Sequence, residues 1–200
     1  MSTLPVIHLA SNNAHKVGEI MRSVALLGSA LRFEDATALG GMPEVDETGN
    51  SLLANARLKA HALADKAPDR WICADDTGLF VDALGGAPGI HTARYAGPGA
   101  GGAANNAKLL KALEGLPTRM RGAQFRCCLC VLDPDGAEHV YEGVFKGRIA
   151  NALSGKGGFG YDPLFIPEGY ACSVAELSDD EKNSISHRAL AVKALVDALG

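Results

Sequence analysis

Two hundred residues fit one large domain or two lobes of a single fold. An apolar content of 47% suits an ordinary globular core. The net charge of −4 gives no general basic field for a nucleic acid, so a polyanionic ligand has to be met by a few local cations or a metal ion. The apolar runs fall short of the roughly 18 residues of a membrane helix. Met1-Ser2-Thr3-Leu4-Pro5 lacks a signal-peptide layout. The expectation is a soluble cytoplasmic protein.

Val6-Ile7-His8-Leu9-Ala10 reads as a buried strand, and Ser11-Asn12-Asn13 follows with residues that cap helices. Val17, Ile20, Met21, Val24 and Leu27 recur at helical spacing, predicting a helix over 14–27. An acidic loop with Glu44, Asp46 and Glu47 leads to a second helix over 51–67, on which Asn55 and Lys59 share a side. Trp71-Ile72-Cys73-Ala74 is a short apolar strand that ends in two carboxylates, Asp75-Asp76, then Thr77-Gly78. The expectation there is a strand end with a glycine turn, and a separate short strand over 79–81. Gly85-Gly86-Ala87-Pro88-Gly89 is a tight loop, and a third helix is predicted over 103–113.

Residues 124–132 and 139–149 are apolar runs around Asp133-Pro134-Asp135-Gly136, whose Asp-Gly pair predicts a hairpin. Cys127, Cys128 and Cys130 lie in the first of these runs without paired zinc spacing, so they read as small buried hydrophobes. Gly155 to Gly160 is glycine-rich and precedes Tyr161-Asp162-Pro163 and a strand over 164–166. Ile185, Ala189, Val192, Leu195, Val196 and Leu199 predict a last helix over 185–199. Early strand–helix alternation and a late hairpin predict an α/β fold, a mixed twisted sheet with helices on both faces.

Four clusters carry chemistry. Asp75-Asp76 at the end of an apolar strand places charge where burial is costly, and a hard divalent cation with oxygen ligands would neutralise it; a solvated turn is the plain alternative. Ser11-Asn12-Asn13-Ala14-His15-Lys16 joins a strand to a helix N-terminus, which favours an anion. It is not a Walker A loop, and an ordinary N-cap with an exposed lysine is its simplest account. Gly155 to Asp162 packs four glycines around Phe159 and Tyr161, so backbone can approach a ligand and an aromatic can stack on a base. Finally, Lys182, His187 and Arg188 are expected near a helix N-terminus, against the dipole. An anion or a polar ring with acceptors would resolve that conflict.

Together these blocks resemble the inosine triphosphatase/Ham1 family, pyrophosphatases of non-standard purine nucleoside triphosphates, and within it the bacterial dITP/XTP branch. The resemblance runs through Ser11 to Lys16, Glu47-Thr48-Gly49, Asn55 to Ala60, Ala74 to Leu79, Gly85 to Gly89, Ala93-Arg94-Tyr95, Gly157 to Pro163, Glu181-Lys182-Asn183 and Ser186-His187-Arg188. It implies a long mixed sheet in a single domain over 1–200, with two lobes and a central cleft, and a homodimer. The implied reaction is hydrolysis of ITP, dITP and XTP to the monophosphate and pyrophosphate with magnesium. By resemblance, Asp76 is the general base and a metal ligand, and Asp46 and Glu47 add metal contacts. Lys16 acts in catalysis and, with Ser11, Asn12, Asn13, Ala14, His15 and Lys59, holds the triphosphate. Thr77 contacts substrate, and Phe159, Gly160, Tyr161, Asp162, Lys182, His187 and Arg188 form the nucleoside pocket.

The chain departs from the family pattern at Leu52 and Ala54, where many members have Phe and Glu. If that Glu binds metal in relatives, the duty passes here to Glu44, Asp46 or Glu47. Thr77 stands for a common serine and His15 for a frequent glycine. Competing functions are a house-cleaning hydrolase of another altered nucleotide and a nucleotide-binding regulator without turnover. An intact Asp75-Asp76 pair and Lys16 argue against the regulator.

Overall fold

The computed structural model describes residues 5–200, so the reading of Met1 to Leu4 lies outside the described residues. In chain order the elements are β1 (Val6–Leu9), α1 (Ala14–Leu26), β2 (Arg32–Asp35), α2 (Leu52–Lys66), β3 (Trp71–Val81) and β4 (Pro88–Gly89). There follow α3 (Gly102–Ala112), β5 (Gly122–Leu132), β6 (Glu138–Ile149), β7 (Phe165–Pro167), α4 (Asp179–Ile185) and α5 (His187–Leu199). The strands form one sheet in the order β2-β1-β3-β5-β6-β7, with β4 on β3. β1 is parallel to β2 and β3, whereas β4 and β7 pair antiparallel with β3 and β6. The sheet is mixed, as the alternation of elements predicts.

Two corrections follow from the structure. The chain does not turn at Asp75-Asp76-Thr77-Gly78: β3 runs unbroken through them to Val81. Gly78 is required for close approach instead, since a Cβ there would sit 2.6 Å from the Gly89 carbonyl oxygen of β4. The predicted last helix starts at His187, and a separate short helix, α4, precedes it. Ser186 leaves helical geometry, with φ −66° and ψ 162°, and its hydroxyl accepts from the Ala189 amide to cap α5. Lys182 therefore lies in the last turn of α4, where a cation suits the dipole, and not at the start of α5.

The chain divides into two compact units. The first holds residues up to 76, 127–143 and 186–200; the second holds 77–126 and 144–185. In the first unit, Cys73, Cys127, Leu129 and Val131 pack with Ile20 and Val24 of α1 and with Ala191, Val192 and Leu195 of α5. The alternate residues Ile72, Ala74, Cys130 and Leu132 pack with Ala56, Ala60 and Leu63 of α2. Strand alternation thus puts α1 and α5 on one face and α2 on the other. Each large aliphatic side chain buried this way contributes about 1.5–3 kcal/mol. The core of the second unit joins Leu79 and Val81 to Leu109 and Leu113 of α3, with Phe125, Phe145, Phe165 and Tyr161.

Cys73, Cys127, Cys128 and Cys130 are buried free thiols. Burial pushes Cys128 up to about 11 and Cys130 up to about 12, so neither is a thiolate near neutral pH. Among the described residues, no helix is long and apolar enough to cross a membrane.

Candidate active site

Asp75 and Asp76 are neighbours on β3 and are almost fully buried, at 2% and 5% exposure. The alternation that sorts the core also sorts these carboxylates. Asp75 shares the face of Cys73 and meets α1 and α5. Its Oδ2 is 3.2 Å from Lys16 Nζ and accepts from Arg188 at 3.2 and 3.3 Å. Arg188, 1% exposed, also donates to Glu19 of α1. Burial alone would raise the Asp75 carboxyl, but Lys16, Arg188 and Lys59 hold it well below the usual carboxylate range. Burial likewise works against the Arg188 charge, and Asp75 and Glu19 more than restore it.

Asp76 faces α2. Lys59 Nζ lies 2.9 Å from Asp76 Oδ1 and 3.0 Å from Glu47 Oε1. Asn55, one turn earlier on α2, donates to Asp76 Oδ2 at 3.4 Å and accepts from the Gly49 amide at 2.8 Å. One side-chain amide thus ties the Glu47–Gly49 segment to Asp76. Ser51 starts α2 by accepting from the Ala54 amide, which fixes the phase that puts Asn55 and Lys59 on this side. Burial is the largest influence on Asp76 and raises its pKa, Glu47 raises it further, and Lys59 and Lys16 only partly offset them.

The phosphate-loop candidates sit at the start of α1. Asn13 caps the helix, its Oδ1 accepting from the His15 and Lys16 amides at 3.0 and 3.3 Å, and Ser11 Oγ accepts from the Asn13 amide. Asn12, Ala14 and His15 are exposed. The cap occupies two amides of the first turn, so an anion here depends on Lys16 and the exposed polar groups more than on those amides. Lys16 itself is half-buried against Asp75, not a free surface lysine.

The first-unit cluster holds three cations, Lys16, Lys59 and Arg188, and four anions, Glu19, Glu47, Asp75 and Asp76; three minus four leaves one negative charge. Asp46 and Glu44 are exposed nearby in sequence. Among the described residues, no group of three or more His, Cys, Asp or Glu side chains forms a ready metal cage. Asp76 and Glu47 share Lys59 instead. That donor set still fits magnesium, which keeps several waters and takes one or two protein carboxylates alongside substrate phosphates. The excess negative charge and the raised Asp76 pKa mark a carboxylate short of positive charge.

In the second unit, Asp162 Oδ2 accepts from the Phe159 amide at 2.8 Å and from Lys182 Nζ at 2.6 Å. The Lys182 ammonium stands 4.7 Å above the Phe159 ring centre, a cation–π distance. Tyr161 donates its hydroxyl to the Thr92 carbonyl, and burial drives its pKa far above the usual tyrosine value. Thr77, in β3, is half-buried. The structure therefore brings Lys182 together with Phe159 and Asp162, while Arg188 is engaged with carboxylates of the first unit and His187 is buried at the first position of α5.

At the α5 N-terminus, the Arg188 charge is met by Asp75 and Glu19. Sequence reasoning overlooked Glu19. One signal was present: Glu19 lies three residues after Lys16.

A Ham1 family model matches residues 7–198. A dITP/XTP pyrophosphatase of Opitutus terrae is 48% identical over 196 residues, covering 96% of this chain and 97% of its own. Another dITP/XTP pyrophosphatase, from Pseudomonas syringae pv. tomato, is 48% identical over 195 residues, covering 96% and 95%. Among solved structures, a HAM1 protein from Coxiella burnetii superposes with a TM-score of 0.86 at 37% identity over 98% of both chains. The Ham1 protein of Staphylococcus aureus gives 0.84 at 37% identity over 97% of both. Agreement in sequence and in backbone, across nearly the whole length of these relatives, places the chain in the Ham1 family.

Proposed function

We propose that this protein hydrolyses ITP, dITP and XTP between the α and β phosphates, releasing a nucleoside monophosphate and pyrophosphate and so removing deaminated purines from the nucleotide pool. The observation that carries the reading is Asp76, buried and held by Lys59 and Asn55 beside the Lys16–Asp75 pair. The names of the relatives support the same substrates. Residues 1–200 act as a single domain. A cytoplasmic homodimer without nucleic-acid partners is the accompanying reading, supported by the acidic net charge and the family resemblance.

Asp76 and Glu47, with Asp46 beside them in sequence, would hold magnesium. When bound, that ion supplies charge neutralisation of the phosphates and a more acidic water. Asp76 orients the attacking water and takes its proton at a carboxylate oxygen. Lys16 and Lys59 offset charge developing on the phosphate oxygens, a task that is mostly positioning and electrostatics. Ser11, Asn12, Asn13, Ala14 and His15 line the phosphate end, and Thr77 contacts substrate.

Phe159 stacks on the base, and Gly160 and Tyr161 shape its seat. The Lys182 ammonium, oriented by Asp162, donates to the 6-oxo acceptor of hypoxanthine or xanthine; adenine presents an amino donor there. Arg188 contributes by fixing Asp75, and through it Lys16, while His187 completes the start of α5.

Product analysis with ITP, XTP, GTP and ATP, with magnesium and after chelation, tests the reading. The expected result is pyrophosphate from ITP and XTP, kcat/KM for GTP and ATP lower by about 100-fold, and no turnover without the metal. Release of orthophosphate, or equal turnover of all four nucleotides, would contradict it. Tight binding without products would favour the regulator instead.

A further inference from the structure

We propose that Asn106 of α3 is a specificity-determining positioning residue, which sets the Phe159–Asp162 loop through the Gly160 carbonyl. The inference rests on the reading that this loop receives the purine.

Asn105 and Asn106 are adjacent, mid-helix and buried, at 4% and 5% exposure. Asparagine is a poor helix former, so a buried pair needs a reason. Asn105 uses both ends of its amide: Oδ1 accepts from the Ala96 amide at 2.7 Å and Nδ2 donates to the Ala93 carbonyl at 3.0 Å. Asn106 does not. Its Nδ2 donates to the Gly160 carbonyl at 3.0 Å, while its Oδ1 is buried with no hydrogen-bond partner among the described residues. A flipped amide would set oxygen against oxygen, so the orientation is dictated by the Gly160 carbonyl. A side chain kept only for packing would not carry an unsatisfied buried acceptor, because that acceptor is costly. What the position retains is the donor.

Gly160 has φ +62° and no side chain, so nothing of its own can hold the peptide. Several bonds tie the loop. Asp162 holds the Phe159 amide and is itself held by Lys182, and Tyr161 reaches the Thr92 carbonyl. The Asn106 tie is the one made to the Gly160 carbonyl by a side chain of α3, and Gly160 directly follows the aromatic proposed to stack on the base. Asn105 meanwhile holds the segment after Thr92, where Tyr161 docks. The two asparagines thus fix the loop and its anchor from one turn of helix.

The test compares Asn106→Leu and Asn106→Asp with the unaltered protein. Leucine keeps the branched skeleton but removes both the donor and the orphan acceptor; Gly160 is an exposed residue, so its peptide can turn toward water. The Asn106→Leu protein is expected to keep its melting temperature yet show KM for ITP and XTP raised about tenfold, with kcat within about twofold. Discrimination against GTP should narrow, and hydrolysis of ribose triphosphate lacking a base should be unchanged. Asn106→Asp, which has no donor, should show the same split. An active wild-type protein whose Asn106→Leu and Asn106→Asp forms keep KM and base preference would overturn the inference alone. So would an equal loss on the baseless triphosphate. A wild-type protein inert toward ITP and XTP would remove the underlying reading and this inference with it.

Discussion

Two carboxylates one peptide apart have opposite surroundings because strand residues alternate sides. Asp75 is enclosed by Lys16 and Arg188, and Asp76 by Lys59 and Asn55. The first is stabilised as an anion, and the second is pushed toward the proton. One residue is therefore suited to hold the framework and the other to exchange a proton. Asp75→Asn leaves Arg188 and Lys16 without their shared partner and should cost about 3 kcal/mol of stability. The pH dependence has a definite sign. A carboxylate lowered by folding stabilises above its unfolded pKa of about 3.9, and that contribution fades as pH falls toward the folded value. Denaturant melts of chelator-treated protein should show the wild type losing its advantage over Asp75→Asn below about pH 4. An advantage that persists unchanged in acid would exclude this linkage. The identity of Asp75's partners was hidden from the sequence, because Lys16 and Arg188 reach it only when α1 and α5 pack on its side of β3.

At the scale of elements, β3 explains both a success and an error. Its apolar start was legible, but its continuation through Asp75, Asp76, Thr77 and Gly78 was not. Local composition signals a turn there, and tertiary charge pairing and the β4 contact override it. If close approach is why Gly78 is glycine, Gly78→Ala should destabilise by about 1–3 kcal/mol. Hydrogen exchange should quicken at Leu79 and Gly89, which pair in register. A variant as stable as wild type, with unchanged exchange, would contradict the assignment.

The longer helices were legible because each carries an apolar stripe or a capping residue, Asn13 for α1 and Ser51 for α2. The Asp133–Gly136 hairpin was legible from turn chemistry, and Gly136 adopts φ +81°. β2, Arg-Phe-Glu-Asp, escaped notice because an edge strand is short and polar. α4, Asp-Asp-Glu-Lys-Asn-Ser-Ile, has no apolar period to reveal it.

For the molecule as a whole, an acidic chain must bind a tetraanionic nucleotide with few cations. The structure concentrates Lys16, Lys59 and Arg188 among buried carboxylates, where their charge is neither screened nor free. The motif blocks and the family were legible because each block is contiguous in sequence. The Arg188–Asp75 pair, the Asn55 bond to Asp76 and the Asn106 tie to Gly160 join residues distant in sequence, and no local pattern encodes them.

The most direct measurement is the single-turnover rate of ITP cleavage by the wild-type and Asp76→Asn proteins, with ITP binding measured in parallel. The account expects Asp76→Asn to bind ITP while releasing pyrophosphate about 100- to 10,000-fold more slowly. An Asp76→Asn protein that cleaves ITP at the wild-type rate would contradict it.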